Sequence, residues 1–449
     1  MVLTAGRGTR MRSSLPKVLH PIAGLPMIDH VVRAAQGANA AQIILTIGPT
    51  SEALRSRYDS TVELAWQPEP LGTGDAVAVA LPLLGPHIEW VLVIYGDHPL
   101  IDSSTLANLM SRAIAEGPIL ALLTFDLADP GPYGRFRFGP DGRIIGTVEA
   151  VDDTSDRQAV TTVNSGMCAY RRDWLEGHIG RLPLSPKGEY YLTGLVEMAA
   201  ASRWPVNPVI AVPAPVELAL GVNDRAELAE AERLLRERIN RRHMLAGVSI
   251  VDPASTFIDV DVEIGNDTRI EPGCMLRGST GVGSGCVIGP GSVIEDSIIG
   301  DDCRVMSSWL EQARVGAGVT IGPYAHLRPG AIVGTGARIG NFAEIKNATL
   351  GSQSHMHHFG YVGDAHVGAR VNIGAGVVVC NYDGREKHHT EIGDDVFVGS
   401  DTLLIAPVAL GAGSSTGAGS VVTRSVAPGA AVRGVPARVV PRPESDGSG

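Results

Sequence analysis

Ile321-Gly-Pro-Tyr-Ala-His326, Leu327-Arg-Pro-Gly-Ala-Ile332, Val333-Gly-Thr-Gly-Ala-Arg338 and Ile339-Gly-Asn-Phe-Ala-Glu344 are four consecutive blocks of six residues built to one plan. An aliphatic residue opens each block, Gly usually follows, and a small residue holds the fifth place. The plan returns upstream in Ile288-Gly-Pro-Gly-Ser-Val293. Downstream it recurs in the blocks that open at Val367, Ile373, Ile392, Val398 and Leu410. From about Ile264 to Val421 this period predicts a parallel β-helix. The aliphatic residue stacks inward over its neighbour in the next coil, and Gly allows a corner conformation that a side chain would forbid. A single coil cannot bury its own apolar face, so the coils stack into a prism.

The rest of the chain reads outward from that prism. With 449 residues, two domains are the natural expectation. The composition is 44% hydrophobic but only 5% aromatic, which suits a solenoid filled with small aliphatics. No apolar run reaches the length of a membrane span, and no charged-then-apolar leader is present, so a cytoplasmic protein is expected. Five cysteines (Cys168, Cys274, Cys286, Cys303, Cys380) lack any CxxC spacing and read as reduced packing residues. A net charge of −11 argues against nucleic acid or a membrane as the main partner. It leaves room for small anionic substrates, held by local clusters of Arg, Lys and backbone N–H.

Residues 1–222 alternate short β-rich runs with helical stretches, the pattern of an α/β layered domain. Ile43–Ile47, Trp90–Tyr95, Ile119–Thr124 and Thr162–Tyr170 read as strands; His30–Gly37, Ala76–Leu84 and Ser104–Glu116 read as helices. Asp224–Ala246, acid-rich at its start and base-rich at its end, reads as one long connecting helix within a linker of residues 223–247. The β-helix domain then takes residues 248–449. The tail beyond Pro436 has no core material and is expected to be loose.

Two groups of residues carry chemistry. Leu3-Thr-Ala-Gly-Arg-Gly-Thr-Arg-Met11 leaves a short strand for a Gly-rich loop, and Lys17 follows in Leu15-Pro-Lys-Val-Leu-His20. Such a loop lets backbone N–H groups approach a triphosphate. Arg10 and Lys17 add positive charge where a pentacoordinate phosphorus gathers negative charge. Neither GxxxxGK[ST] nor GxGxxG is present, which speaks against kinase and dehydrogenase readings. Asp97, in Tyr95-Gly-Asp-His-Pro-Leu100, stands at the strand end where α/β sheets place ligands, and its hard oxygens suit Mg²⁺. The plainer reading is a loop-capping Asp. Gln67-Pro-Glu-Pro-Leu-Gly-Thr-Gly74 offers an amide and bare backbone to a pyrimidine edge, or else is simply a tight turn before a helix.

The second group interrupts the repeat between Arg328 and Asp383. A solenoid has no structural use for Lys346 or for histidines at 355, 357 and 358. The plain account is surface charge. The sharper one is an acyl-transfer site, in which an imidazole that titrates near neutral pH removes a proton from an amine. A zinc reading of the three histidines lacks a suitably spaced acidic or Cys partner. Asp383–Thr390 is a loop excursion from the repeat, and its His388 and His389 receive no role.

Taken together, LTAGRGTRM, LPKVLH, QPEPLGTGDA, YGDHPL, PYGRF, NSGM, KGEYYLT and GVNDR resemble a sugar-1-phosphate nucleotidylyltransferase head. With LRPGA, GNFAEIKNA, HHFGYVGDA, NIGAG, CNYDG and IGDDVFVGSDT in the tail, nearly the whole chain resembles one bacterial family. That family is the bifunctional N-acetylglucosamine-1-phosphate uridylyltransferase/glucosamine-1-phosphate N-acetyltransferases. The resemblance implies a Rossmann-like α/β head and a left-handed parallel β-helix. It implies that the tail acetylates glucosamine 1-phosphate from acetyl-CoA. The head then joins N-acetylglucosamine 1-phosphate to UTP, making UDP-N-acetylglucosamine for cell-wall precursors and lipid-linked glycans.

By the same resemblance, Leu3, Thr4, Ala5 and Gly6 line the nucleotide, and Gln67, Gly72 and Thr73 read the uracil. Tyr95 contacts substrate; Gly134, Glu149 and Asn164 hold the sugar; Asp97 and Asn223 bind Mg²⁺; Arg10 and Lys17 steady the α-phosphate. In the tail, His358 is the general base with Glu344 to orient it. Arg328 and Lys346 hold the sugar phosphate, and Tyr361 and Asn372 bind the sugar. Ala375, Ser400 and Ala418 contact acetyl-CoA, and Asn381 and Tyr382 line the site. The family works as a homotrimer.

The chain departs from the family's pattern in several places. Only two residues precede Leu3, which implies a short first strand. A lysine is missing from Glu149-Ala-Val-Asp, and Gly194 replaces an acid. His98 replaces a small apolar residue and receives no role. His355 stands for a basic residue, and Arg433 is the shifted substitute for an arginine absent at Gly434. Two enzymatic alternatives share the fold: a thymidylyltransferase, since uracil and thymine differ by one methyl, and an acetyltransferase with a vestigial head. A third treats the β-helix as a trimerising scaffold without activity.

Overall fold

The computed structural model describes residues 1–6, 8–51, 53–58, 62–128, 133–148 and 162–440. The chain forms two compact units, Met1–Leu235 and Arg236–Gly449.

The first unit is built on a nine-stranded sheet. Its main elements in chain order are β1 (Val2–Leu3), α1 (Met27–Gly37), β2 (Ile44–Ile47), β3 (Glu63–Trp66), α2 (Thr73–Ala80) and β4 (Trp90–Tyr95). There follow α3 (Ser103–Glu116), β5 (Leu120–Asp126), β6 (Gly134–Phe138), β7 (Ile144–Val148), β8 (Thr162–Arg171), α4 (Gly194–Ala200), β9 (Val209–Pro213) and α5 (Arg225–Leu245). The main path runs β9-β5-β8-β4-β1-β2-β3. Strands β4, β1, β2 and β3 are mutually parallel, and β8 runs antiparallel to both β4 and β5. The hairpin of β6 and β7 branches from β8. Strands β2 and β5 are nearly continuous apolar runs because the sheet's central strands are buried on both faces.

β1 is short, as expected, yet it is the strand between β4 and β2. Its ladder extends past its two ends: Ile94 N donates to Met1 O at 3.0 Å, Gly96 N to Leu3 O at 3.0 Å, and Thr4 N to Thr46 O at 3.1 Å. Helices α1 and α2 begin earlier than the periodicity predicts, at Met27 and Thr73. Their N-caps are Pro26 and Gly72, neither of which offers the side-chain oxygen by which a helix start is usually recognised. At α3 the signal is present: Asp102 accepts from Thr105 N at 2.8 Å, and the helix starts at Ser103. β3, β6, β7, α4 and β9 carry too weak a period for their boundaries to be read from sequence.

The second unit is a left-handed parallel β-helix whose strands fall into a 12-stranded and a 17-stranded sheet. Three inward ladders fill it. One runs Ile270, Ile288, Val305, Ile321, Ile339, Met356, Ile373, Val398, each at most 2% exposed. A second includes Leu276, Ile294, Leu310, Leu327 and Ile345; a third includes Val282, Ile299, Val315, Val333, Leu350 and Val367. Along the first ladder, successive rungs are 18, 17, 16, 18, 17 and 17 residues apart, then 25 from Ile373 to Val398. The extra length contains the excursion at Asp383, although Thr390 is already back in a strand and fully buried.

The coils reach further than the period. They start at Ser249–Ile250, and Ala431–Arg433 still pairs in parallel with the rung before it. The first coil was missed because it keeps the aliphatics but loses the glycines, and the last because its glycines, Gly429 and Gly434, do not directly follow the aliphatic residue. Residues just beyond Pro436 are not loose: Arg438–Val440 pairs antiparallel with Ala431–Arg433 and covers that sheet edge. The tail from residue 441 onward lies outside the described residues. All five cysteines are free, and four are buried. Among the described residues, no helix is long and apolar enough to cross a membrane.

α5 is one continuous helix. Asp224 caps it, accepting from Ala226 N and Glu227 N at 2.9 Å each. In the second unit, Asn240 Nδ2 donates to Pro253 O at 3.0 Å and Thr256 O at 3.1 Å, fixing the end of the helix against the first coil.

Candidate active sites

In the first unit, the loop after β1 and the segment carrying Lys17 touch at Gly8. Gly8 has φ +58, and a Cβ there would lie 2.7 Å from the Cβ of Lys17. Only glycine permits both the left-handed turn and that approach. Leu3, Thr4 and Ala5 are buried below the loop, whereas Gly6 and Arg10 are exposed. Thr4 Oγ1 donates to Thr46 O at 2.7 Å and Thr46 Oγ1 to Ala76 O at 3.0 Å, which ties β1, β2 and α2 together behind the loop.

Lys17 is where three distant stretches of chain meet. Its Nζ donates to Asp97 Oδ2 and, at 3.2 Å, to Asn223 Oδ1. Val222 N donates to Asp97 O at 2.9 Å, which holds the Asn223 segment against the end of β4. Asn223 Nδ2 is turned away to Gly221 O at 3.2 Å, so the amide oxygen is the end presented to Lys17. Two hard oxygen donors thus converge on one cationic point, a donor set suited to a small divalent ion bound with phosphates. Burial by itself pushes the Asp97 carboxyl up. The hydrogen bonds and charges of His98 and Lys17 more than reverse this and hold it well below the usual carboxylate range. His98, which received no role from sequence, is therefore part of the site: its Nδ1 lies 2.9 Å from Asp97 Oδ1, and it is buried.

Beside this point, Gln67 is buried and Gly72 has φ +103. A Cβ on Gly72 would come 2.7 Å from Tyr190 O, so a side chain is excluded. The 190–192 segment grips the loop, with Tyr190 N to Leu71 O at 2.7 Å, Gly74 N to Tyr190 O at 2.8 Å and Leu192 N to Thr73 Oγ1 at 3.0 Å. A cavity of about 330 Å³ opens next to it, walled by Thr73, Tyr95, Gly134 and Asn164. Four of the predicted contacts are therefore gathered in one place; Glu149 lies outside the described residues. Lys187 and Thr193 also line the cavity, and sequence reasoning missed both, although each sits within KGEYYLT. Gly194, next to Thr193, is the first residue of α4.

On the prism, the register sorts the second group into a corner and an adjoining face. His358, Ala375, Ser400 and Ala418 each lie two residues past a rung of one ladder: Met356, Ile373, Val398 and Thr416. They therefore form a single column along one corner, one residue per coil. With coils about 4.8 Å apart, His358 and Ala418 are about 14 Å from each other along the wall. Asn372 stands on the strand before this corner, beside His355. Arg433 lies one coil beyond Gly417, whose Cβ position is 2.9 Å from the Arg433 Cβ, and so flanks the end of the column.

Past the corner, Tyr361 pairs with Glu344, and Lys346 stands two positions further along the same rung. Arg328 NH1 donates to Glu344 at 2.7 Å, which holds the guanidinium fully charged. Glu344 accepts from Arg328, and among the described residues no hydrogen bond joins it to His358. At the next corner, Asp364 accepts from Asn347 Nδ2 at 2.6 Å and from Asn381 Nδ2, and Tyr382 beside it is exposed. Next to His358, Tyr324 and Phe342 stack with ring centroids 5.5 Å apart, and Phe359 occupies the following coil. These three rings are 61%, 61% and 56% exposed.

The two units match separate family models. Residues 1–173 match the MobA-like NTP transferase domain, and residues 261–296 and 312–347 match the bacterial transferase hexapeptide repeats. Whole-chain similarity joins them. The chain is 46% identical over 433 residues to the bifunctional protein GlmU of Pelobacter propionicus, covering 96% of this chain and 94% of that protein. It is 44% identical over 432 residues to the GlmU of Trichlorobacter lovleyi, covering 95% and 94%. For the GlmU of Streptococcus agalactiae the identity is 39% over 427 residues, covering 95% and 93%.

Proposed function

The chain belongs to the GlmU family of bifunctional proteins, and on that footing we propose how its residues divide the work of two reactions. The enzyme makes UDP-N-acetylglucosamine in two steps. It transfers an acetyl group from acetyl-CoA to glucosamine 1-phosphate, then a uridylyl group from UTP to N-acetylglucosamine 1-phosphate, releasing pyrophosphate.

In the first unit, Asp97 and Asn223 hold Mg²⁺, a role supported by the convergence of their oxygens on one cationic point. The ion supplies positive charge to the phosphates of UTP. Lys17 and Arg10 neutralise the α-phosphate while a phosphate oxygen of the sugar attacks it in line. No protein nucleophile is required, because positioning and charge supply the catalysis. Leu3, Thr4, Ala5 and Gly6 line the nucleotide, and Gln67, Gly72 and Thr73 face its base. Tyr95, Gly134, Asn164 and Glu149 hold the acetylated sugar.

In the second unit, His358 removes the proton from the amine as it attacks the thioester carbonyl. Arg328 and Lys346 bind the sugar phosphate, and Tyr361 and Asn372 bind the sugar. Acetyl-CoA runs along the corner past Ala375, Ser400 and Ala418, with Asn381 and Tyr382 beside it. The protein assembles as a homotrimer; the exposed rings of Tyr324, Phe342 and Phe359 on successive coils support this, since an apolar stripe of that kind asks for cover.

The meeting of Lys17, Asp97 and Asn223 carries the reading of the first unit. Both half-reactions, measured on one preparation, test the whole. Asp97→Ala abolishes pyrophosphate release and leaves CoA release intact; His358→Ala does the reverse. Pyrophosphate release surviving in Asp97→Ala, or CoA release surviving in His358→Ala, refutes the corresponding assignment.

A further inference from the structure

Gln67 is 2% exposed, and its side chain is not free to turn. Nε2 donates to Asp75 Oδ2 at 2.7 Å and to Gly72 O at 3.2 Å. Both partners are acceptors only, so chemistry decides which end of the amide faces them: the NH₂ group, leaving the carbonyl Oε1 directed the other way. The backbone is pinned as well, with Gln67 N donating to Ile47 O at 2.8 Å. Asp75 lies in the first turn of α2, where an acid is favoured by the helix dipole.

We propose that Asp75 is the positioning residue that makes this site accept uracil and reject cytosine. The inference rests on the assignment of Gln67 to the base. The pairing edge of uracil presents a donor at N3, flanked by two carbonyl acceptors. An outward Oε1 accepts from that N3–H. Cytosine presents a bare lone pair at N3, which would face the lone pairs of Oε1 in a buried setting, and such an unpaired contact is strongly rejected. An amide free to flip would offer its NH₂ group to cytosine N3 and lose the distinction. Asp75 prevents the flip, because a reversed Gln67 would set its oxygen against a carboxylate. Thymine carries the same edge as uracil, so Asp75 does nothing to exclude it.

The test is the steady-state rate of pyrophosphate release by the full-length enzyme with UTP and with CTP. In Asp75→Ala the ratio of kcat/KM for UTP over CTP falls by at least about tenfold. The change comes through KM, and kcat with UTP stays within about threefold. Asp75→Asn, whose amide can turn and donate to a reversed Gln67, also loses much of the ratio, which shows that the acceptor-only carboxylate sets the orientation. The proposal is overturned if Asp75→Ala keeps the parent ratio, or if it lowers kcat equally with both nucleotides as a merely structural lesion does. Gln67→Ala separates the two layers. If it leaves the ratio unchanged, the base assignment itself has failed. If it collapses the ratio and Asp75→Ala does not, only the role of Asp75 has failed.

Discussion

Nδ1 of His98 lies 2.9 Å from Oδ1 of Asp97, the carboxylate oxygen opposite the one that Lys17 holds. Charged or neutral, an imidazole protonated at Nδ1 donates here and fixes the plane of the carboxylate. His98→Val removes that donor and weakens the binding of Mn²⁺, used as a probe in the presence of UTP, by about ten- to a hundredfold, the worth of one hydrogen bond to a charged group. His98→Asn restores it, because its amide N–H takes the same position. Calorimetric titration reads the affinity directly; an unchanged value in His98→Val means that Lys17 alone orients the carboxylate.

Gly8 tests the loop. Alanine there is strained at φ +58 and drives its Cβ against Lys17. Gly8→Ala is expected to lower uridylyl transfer by about a hundredfold, the scale of a displaced charge at a phosphoryl-type transition state. Acetyl transfer measured on the same preparation stays at the parent rate. Loss of both activities would point to a collapsed chain rather than a displaced lysine.

Asp364 joins two coils at the corner that carries Asn381. Its carboxyl is held below the usual range: burial opposes this, but the bonds from Asn347 and Asn381 prevail. Asp364→Ala leaves both amides without their acceptor. The KM for acetyl-CoA rises by about tenfold while kcat changes little, as expected when a binding wall loosens at some distance from the base. A fall in kcat at constant KM would contradict this.

His243 gives the second unit a pH dependence. Burial, reinforced by Arg242, lowers its pKa from 6.5 to about 4. The unfolded chain therefore binds the proton first as pH falls. The stabilising contribution is complete above about pH 6.5 and is lost progressively toward pH 4, by at most about 3 kcal/mol. Urea midpoints at pH 7 and pH 5 should draw together in His243→Gln relative to the parent. Parallel falls in the two proteins would assign the acid sensitivity elsewhere.

How far the sequence could be read depended on whether the information was local. The inward residues of the prism repeat every six positions, so their burial was legible without any contact map. Its first coil was not, because Val262 and Ile258 are as buried as the central rungs but lack the glycines that mark a corner. Asp97 was legible from its place at the end of an apolar strand. The bond from Lys17 to Asn223 spans 206 residues and could not be seen. Neither could the use of His98, since nothing in Tyr-Gly-Asp-His says which way an imidazole turns. The excursion at Asp383 hides the column at the corner: it adds residues between Ala375 and Ser400 that must be discounted before the two fall into line.

A wall that contributes one side chain per coil measures distance in whole numbers. The span from His358 to Ala418 is set by how many coils separate them, not by any single contact. Deleting one complete coil in between would bring the far end nearer by one increment and leave every remaining side chain facing as before. The length of carrier arm such a surface accommodates can therefore be edited by duplicating or removing repeats, with the imidazole end untouched. Differences of one or two residues are absorbed within a coil, as the rungs 16, 17 and 18 residues apart show, so the span changes only by whole coils.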